Sequence, residues 1–295
     1  MIEILLPFYG DAGYLRAAVD SVLAQSDPAW RLHVVDDAYP DPDAAAWIAA
    51  IDDPRVSFQR NATNRGVAAN FAHCLERATA EHVAFLGGDD LLGPTYVASV
   101  RAAFARHPEV ALVQPGVRVI DSDGRDVRPL TDRVKRVLAP TVHRERVLTG
   151  EALARSLLHG DWMYFPSISW RRDVIATRPF RQDMQTVMDL ALLLDLVLAG
   201  ESFLVLEDPV FEYRRHAASA SSVTAREADR FDEEERLFAE VAQACRDRGW
   251  RSAARAARWH LTSRLHATLR VPAALAQRDR HVAHSLVRHV TSRGD

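Results

Sequence analysis

The apolar positions of this chain follow two rhythms. Short β-type runs recur from the first residues: Ile2 to Leu6, Leu32 to Val35, Val56 to Gln59 and Val83 to Leu86. The run before Gly87 is apolar throughout, as expected of a strand buried on both faces. Between the runs the apolar residues repeat at helical spacing, as in Leu15, Ala18, Val19, Val22 and Leu23. Asp41 before Pro42 predicts a helix start for the pattern Asp43 to Ile51. A polar loop, Asn61 to Gly66, leads into a helix over Val67 to Ala78. The alternation β-α-β-α-β-α-β predicts a Rossmann-like, mostly parallel sheet with helices on both faces.

The second half changes character. Val110 to Val113 and Val117 to Ile120 predict two strands, and Asp123-Gly124 a hairpin turn. Thr131 to Val147, polar and arginine-rich, reads as a mobile stretch. Helices are expected over Glu151 to Leu158 and Met188 to Ala199, with strands at Phe203 to Leu206 and Val210 to Tyr213. Asp161 to Pro166 is dense in aromatic residues. From Thr224 the pattern is helical, with a break at Val271-Pro272. We therefore expect a domain over residues 1–222, with halves 1–115 and 116–222, and a C-terminal helical region over 223–295.

Three strand ends carry candidate chemistry: Pro7-Phe8-Tyr9, Asp36-Asp37 and Gly87-Gly88-Asp89-Asp90. All fall on the carboxyl edge of one sheet, where open α/β folds bind ligands. Adjacent carboxylates repel each other unless something positive shares the site. A hard divalent cation holding substrate phosphates would satisfy them. Solvated turns are the competing account, since Asp and Gly are ordinary turn residues. No Gly-x-Gly-x-x-Gly follows the first strand and there is no P-loop, which disfavours a dinucleotide dehydrogenase or a P-loop phosphotransferase.

Composition narrows the partners. The 295 residues, 48% of them hydrophobic, suffice for one large α/β domain with an appendage or for two small domains. A net charge of -3 leaves no basic footprint for nucleic acid. Cys74 and Cys245 stand far apart, without metal-ligand spacing, which suits a reducing compartment. Lys135 is the only lysine. No secretory n-region opens the chain. The apolar run Leu190 to Ala199 is short for a bilayer span and contains Asp195. The expected location is cytoplasmic, free or at the inner face of the membrane.

At this point the chain resembles the family 2 glycosyltransferases, whose fold is GT-A. The resemblance rests on Pro7-x-Tyr9, Tyr14-Leu15, Ser21-Val22-Leu23-x-Gln25 and Val34-Val35-Asp36-Asp37. It continues through Asn64-x-Gly66-Val67, Asn70, Phe85-Leu86-x-x-Asp89-Asp90-x-Leu92-x-Pro94 and Tyr213-Arg214-x-His216. Each motif alone is weak; their order and spacing carry the match, which extends to about Ser222.

The resemblance implies an inverting transfer of a sugar from a nucleoside diphosphate, UDP first and dTDP as its rival, to an acceptor hydroxyl. Tyr9, beside Pro7, would stack on the base and Asp37 would accept its N–H. Asp89 would hold the ribose hydroxyls and Arg65 would reach a phosphate. Asp90 would hold Mn²⁺ or Mg²⁺ on the diphosphate, with His216 alongside. Asp189 would be the general base, kept ionised by the helix N-terminus. Trp162 and Tyr164 would form an acceptor platform, with core packing as the alternative for both. The acceptor is a glycan, a lipid-linked sugar or a small molecule. The C-terminal helices would mediate a homodimer or a peripheral membrane contact through Arg251 to Arg270. The chain departs from the family where Gly87 and Met188 stand in place of frequent acids. A sugar-nucleotide nucleotidyltransferase and a non-catalytic nucleotide-sugar-binding protein are the competing functions.

Overall fold

The computed structural model describes residues 1–178, 180, 181, 183, 184, 186–216, 227–260, 262–265, 267, 268, 271 and 286. The first half alternates as its periodicity dictates. Strand β1 (Ile2–Phe8) leads to helix α1 (Ala12–Leu23), then β2 (Trp30–Asp36), α2 (Pro42–Ala49), β3 (Val56–Arg60), α3 (Val67–Arg77) and β4 (His82–Phe85). β1 pairs in parallel with both β2 and β4, and β2 with β3. Asp11 caps α1, its carboxylate accepting from Gly13 N at 2.7 Å and Tyr14 N at 3.0 Å. Asp41 caps α2 in the same way.

β1 runs past the proline expected to stop it. Phe8 O accepts from Asp37 N on the β2 side, so Pro7 faces the other neighbour, where β4 has already ended. Its missing N–H therefore costs no ladder bond.

The chain continues through β5 (Leu91–Leu92), α4 (Tyr96–Arg106), β6 (Leu112–Ile120), α5 (Leu130–Leu138), β7 (Glu145–Leu148) and α6 (Gly150–His159). A 3-10 turn at Phe165–Ser167 precedes β8 (Ser169–Arg171), α7 (Arg172–Ala176), α8 (Met188–Leu198) and β9 (Phe203–Arg214). Among the described residues these strands form one sheet in the order β3-β2-β1-β4-β8-β6-β9-β5, with β7 also paired to β9. β8 enters antiparallel between β4 and β6, so the parallel half passes into a mixed one. Apolar layers cover both faces. In β4, Val83 and Phe85 belong to one layer and Ala84 to the other.

Three expectations are corrected here. The two strands foreseen before Ile120 are one, β6, bulged around Gly116. A Cβ on Gly116 would run into the backbone of Glu207 and Asp208, so that close approach requires glycine. The two strands foreseen after Phe203 are likewise one, β9, which contains Pro209 opposite Gly116. Finally, the stretch expected to be mobile holds helix α5 and strand β7. β7 pairs with β9 from Glu145↔Leu206 to Leu148↔Phe203, and polar side chains on the inner face of α5 anchor it.

The C-terminal helices Glu227–Asp247 and Arg251–Trp259 share the main core. Leu237, Phe238, Val241, Ala253 and Ala257 are buried in the same cluster as Leu157 of α6 and Leu193 of α8. The expected boundary near Ser222 and the break at Pro272 lie outside the described residues.

Candidate active site

The carboxyl ends of β1, β2 and β4 deliver three groups to one rim. Tyr9 is 55% exposed. Its ring meets Tyr39 edge-on at 5.4 Å, and Tyr39 meets Phe8 at 5.3 Å. An exposed aromatic steadied by a partly buried tyrosine and a buried phenylalanine can offer its face to a flat ligand. Pro7, half-buried, sets the strand end behind it.

The acidic pair after β2 is buried. Asp36 accepts from Tyr39 N at 2.8 Å and pairs with Arg60 at 2.9 Å, so it is structural. Asp37 accepts from Asn61 Nδ2 at 2.8 Å, Arg65 N at 2.9 Å and Gly66 N at 2.9 Å. Its carboxylate thus shapes the loop that opens α3, where Gly66 takes φ 82°, a left-handed conformation suited to glycine. The Arg65 side chain is exposed beside it.

The pair after β4 is bound to the end of β9. Asp90, 1% exposed, accepts from Arg214 N at 2.9 Å. Asp89 accepts the Arg214 Nε–H at its backbone carbonyl, 2.8 Å. Its Oδ2 lies 2.8 Å from His216 Nε2. The His216 ring packs on Tyr14 at 4.9 Å, and the Arg214 guanidinium lies over the same ring at 4.9 Å. Burial, and then the charge of Asp89, push the Asp90 carboxyl well above its usual range against the opposing pull of Arg214.

Gly87 completes this corner. A Cβ there would meet Asp90 Oδ2 at 2.6 Å and Asp89 Oδ1 at 3.0 Å. Both oxygens therefore converge on a small cradle that only glycine leaves open. The two carboxylate oxygens facing this cradle are the chemistry a hard cation takes. Among the described residues no group of three or more His, Cys, Asp or Glu side chains is placed to hold a metal ion.

Asp189 opens α8, half-buried, with Oδ1 accepting from Leu190 N at 2.8 Å. Its carboxyl is pushed up to about 6 by burial first and by the charge of Asp161 second; Leu190 N–H and Lys135 pull the other way. The Leu190 N–H at the helix terminus favours the ionised form, while burial works against it and sets the net direction. Lys135, on α5, donates to Met163 O at 2.7 Å and stands 3.7 Å from Asp161.

The two aromatic candidates part company. Trp162 is 4% exposed, packs in the main core and donates Nε1–H to Ser156 Oγ at 3.1 Å. It is a core residue, not an acceptor platform. Tyr164 is partly buried. Its hydroxyl donates to Asp132 Oδ1 at 2.8 Å and its ring meets Tyr213 at 5.1 Å, with the Lys135 ammonium 4.8 Å above it. Asp132 in turn takes Arg215 in two bonds, 2.9 and 3.1 Å.

Sequence reasoning gave no role to Tyr39, Arg214, Asp161, Lys135, or the Asp132–Arg215 pair. Arg214 was legible in the Tyr-Arg-x-His element. The others depend on contacts between distant segments.

The family model for "Glycosyl transferase family 2" matches residues 3–177. The chain belongs to glycosyl transferase family 2. This family 2 glycosyltransferase is 31% identical to EpsE of Bacillus subtilis (strain 168) over 125 residues, 42% of this chain and 45% of EpsE. It is 35% identical to TuaG of the same strain over 92 residues, 30% of this chain and 36% of TuaG. Both relatives bear glycosyltransferase names, and the matched stretch spans less than half of either. The crystal structure of S. aureus TarS 1-349 in complex with UDP-GlcNAc superimposes with TM-score 0.72 at 15% identity, covering 99% of this chain and 82% of that one. The complex of the same protein with UDP gives 0.67. This family 2 glycosyltransferase therefore shares the GT-A fold of TarS.

Proposed function

We propose that this family 2 glycosyltransferase moves a sugar from a nucleoside diphosphate to an acceptor hydroxyl, with inversion, using Asp189 as general base. One observation carries the reading. A series of neighbouring groups leads from the donor-type rim toward the base: Asp89 bonds His216, the preceding Arg215 pairs with Asp132, Asp132 accepts from Tyr164, and Lys135 lies over the Tyr164 ring and 3.7 Å from Asp161, whose charge acts on Asp189.

Tyr9, with Pro7 behind it, stacks on the base. Asp37 sets the loop whose Arg65 reaches toward phosphate, and its carboxylate would accept the base N–H. Asp89 takes the ribose hydroxyls. Asp90, with His216 alongside, would hold a Mg²⁺ or Mn²⁺ ion, which as a Lewis acid neutralises the departing diphosphate. The donor is UDP-linked first, dTDP-linked second; the fold likeness to TarS, crystallised with UDP and UDP-GlcNAc, supports that order.

Asp189 takes the proton of the attacking hydroxyl. A carboxyl near 6 is ionised at neutral pH yet more basic than an exposed one, which suits proton transfer, a contribution of about 10²–10⁴-fold. Tyr164 borders the acceptor, a glycan, lipid-linked sugar or small molecule. Attack on the anomeric carbon opposite the diphosphate gives inversion in a single displacement.

The test is a thermal-shift panel of UDP, dTDP and their sugars with and without Mn²⁺, followed by turnover assays. Stabilisation by a nucleoside diphosphate and release of UDP or dTDP from its sugar are expected. Asp189→Asn should keep donor binding and lose turnover. Pyrophosphate release instead would favour a nucleotidyltransferase, and binding without any turnover a non-catalytic protein.

A further inference from the structure

Helix α5 is inside out. Its inner face is polar: Asp132 is 6% exposed and held by Arg215 and Tyr164, and Lys135 donates to Met163 O. Its outer face is apolar: Leu130, Val134 and Val137, at i, i+4 and i+7, are 71%, 45% and 84% exposed. A helix packed on a globular core has the opposite arrangement. Single exposed apolar residues need no explanation, but a stripe along one helix does.

The charge around the stripe has one sign. From Arg128 to Arg146 there are six basic residues and two acids, in a chain of net charge -3. Both acids are held by other segments, Asp132 by Arg215 and Glu145 by Arg106. Arg128, Arg133 and Arg136 are exposed beside the stripe. Leu138 walls a cleft of about 530 Å³ together with Arg155, His159, Arg255 and Trp259, and Trp259 is 55% exposed. Tryptophan and arginine around an apolar patch are the residues that settle at the headgroup level of a bilayer.

We propose that α5, with the adjoining Trp259 corner, docks on an anionic lipid surface. The helix lies in the interface, its apolar stripe among the upper acyl chains and its arginines on the headgroup phosphates. Among the described residues no helix is long and apolar enough to cross a membrane, so the contact is peripheral. The expected contact through Arg251 to Arg270 is thereby centred on α5, with Arg255 and Trp259 as its flank; Arg270 lies outside the described residues. Since Lys135 reaches from the inner face of α5 to Asp161, the lipid surface lies about one helix diameter, ~10 Å, from the surroundings of Asp189.

The experiment is sedimentation of the full chain with vesicles of phosphatidylcholine alone and with about 30% phosphatidylglycerol. No donor or acceptor is present, so the outcome is independent of the glycosyl-transfer reading. Partitioning at least about tenfold stronger onto the anionic vesicles is expected, weakening as salt is added. Leu130→Ser/Val134→Ser/Val137→Ser and, separately, Arg133→Glu/Arg136→Glu should each lose about tenfold or more, with unchanged melting temperature because the positions are exposed. If the triple variant fails to fold, Val137→Ser alone must still weaken partitioning. Equal binding to both vesicle types, or full binding by the variants, overturns the proposal. So does size-exclusion chromatography showing a wild-type dimer that the triple variant dissociates while neither binds vesicles, which would make a second copy the occupant.

Discussion

Arg215 grips Asp132 with two nitrogens, Nη2 at 2.9 Å and Nε at 3.1 Å. The pair ties the end of β9, one residue before His216, to the helix that carries Lys135. Removing the guanidinium leaves a carboxylate that is 6% exposed without its counter-charge, held among the described residues only by the hydroxyls of Tyr164 and Thr131. Arg215→Ala is expected to cost about 1–3 kcal/mol, the range for an unsatisfied buried acceptor. Adding Asp132→Asn should restore part of the loss. Urea midpoints at constant m-value measure both.

Asp189 links activity and stability in opposite senses. Its folded pKa near 6 lies above the ordinary 3.8. The ionised group therefore costs stability above about pH 6, and the cost vanishes below about pH 4. Asp189→Asn should lower turnover by about 10²–10⁴-fold while raising stability at pH 8 by on the order of 1–3 kcal/mol. That gain should disappear toward pH 4. Denaturation curves across pH, run beside turnover assays, check both halves.

The same group sets an acid limb. The kcat of the wild type should fall about tenfold per pH unit below about 6, as the base takes up its proton. A profile flat down to pH 4.5 would remove Asp189 from the chemistry.

Gly87 and Gly88 form a matched pair. A Cβ at Gly87 would stand 2.6 Å from Asp90 Oδ2, whereas at Gly88 the nearest atom is Phe8 Cδ2 at 3.4 Å, an ordinary contact. Gly87→Ala should weaken UDP binding in the presence of Mn²⁺ by about tenfold or more, and Gly88→Ala by much less. Isothermal titration separates the two.

Trp162 belongs to the core. Trp162→Ala should cost about 3–5 kcal/mol, and Trp162→Phe should leave the acceptor KM unchanged. A raised KM in a fully stable Trp162→Phe variant would return this residue to the acceptor site.

The parallel half was legible because periodicity and caps agree there: Asp11 and Asp41 each cap the helix that follows them. In the mixed half, punctuation misled. Pro115-Gly116 and Pro209 look like strand breaks, yet both strands bend at the same level and the ladder carries on. Helix α5 escaped notice because its polar face points inward, the reverse of the pattern that betrays a surface helix. The rim acids were readable from strand ends alone. The raised carboxyl of Asp189 was not, since it depends on Asp161 and on burial by segments far away in the chain. Trp162 shows the limit of residue type: an aromatic cluster looks the same whether it faces a sugar or a leucine.

The irregular pairing at Gly116 reaches further than its own neighbourhood. β9 is held to β6 on both sides of that bulge, from Leu112↔Phe203 to Ile120↔Arg214. Sliding β9 by a single position would turn every one of its side chains to the opposite face. Arg214 would then leave Asp90, and the imidazole two residues later would swing off Asp89. A glycine in the middle of the sheet thus acts as the indexing pin for the far rim, fixing which side chains stand over the acids there.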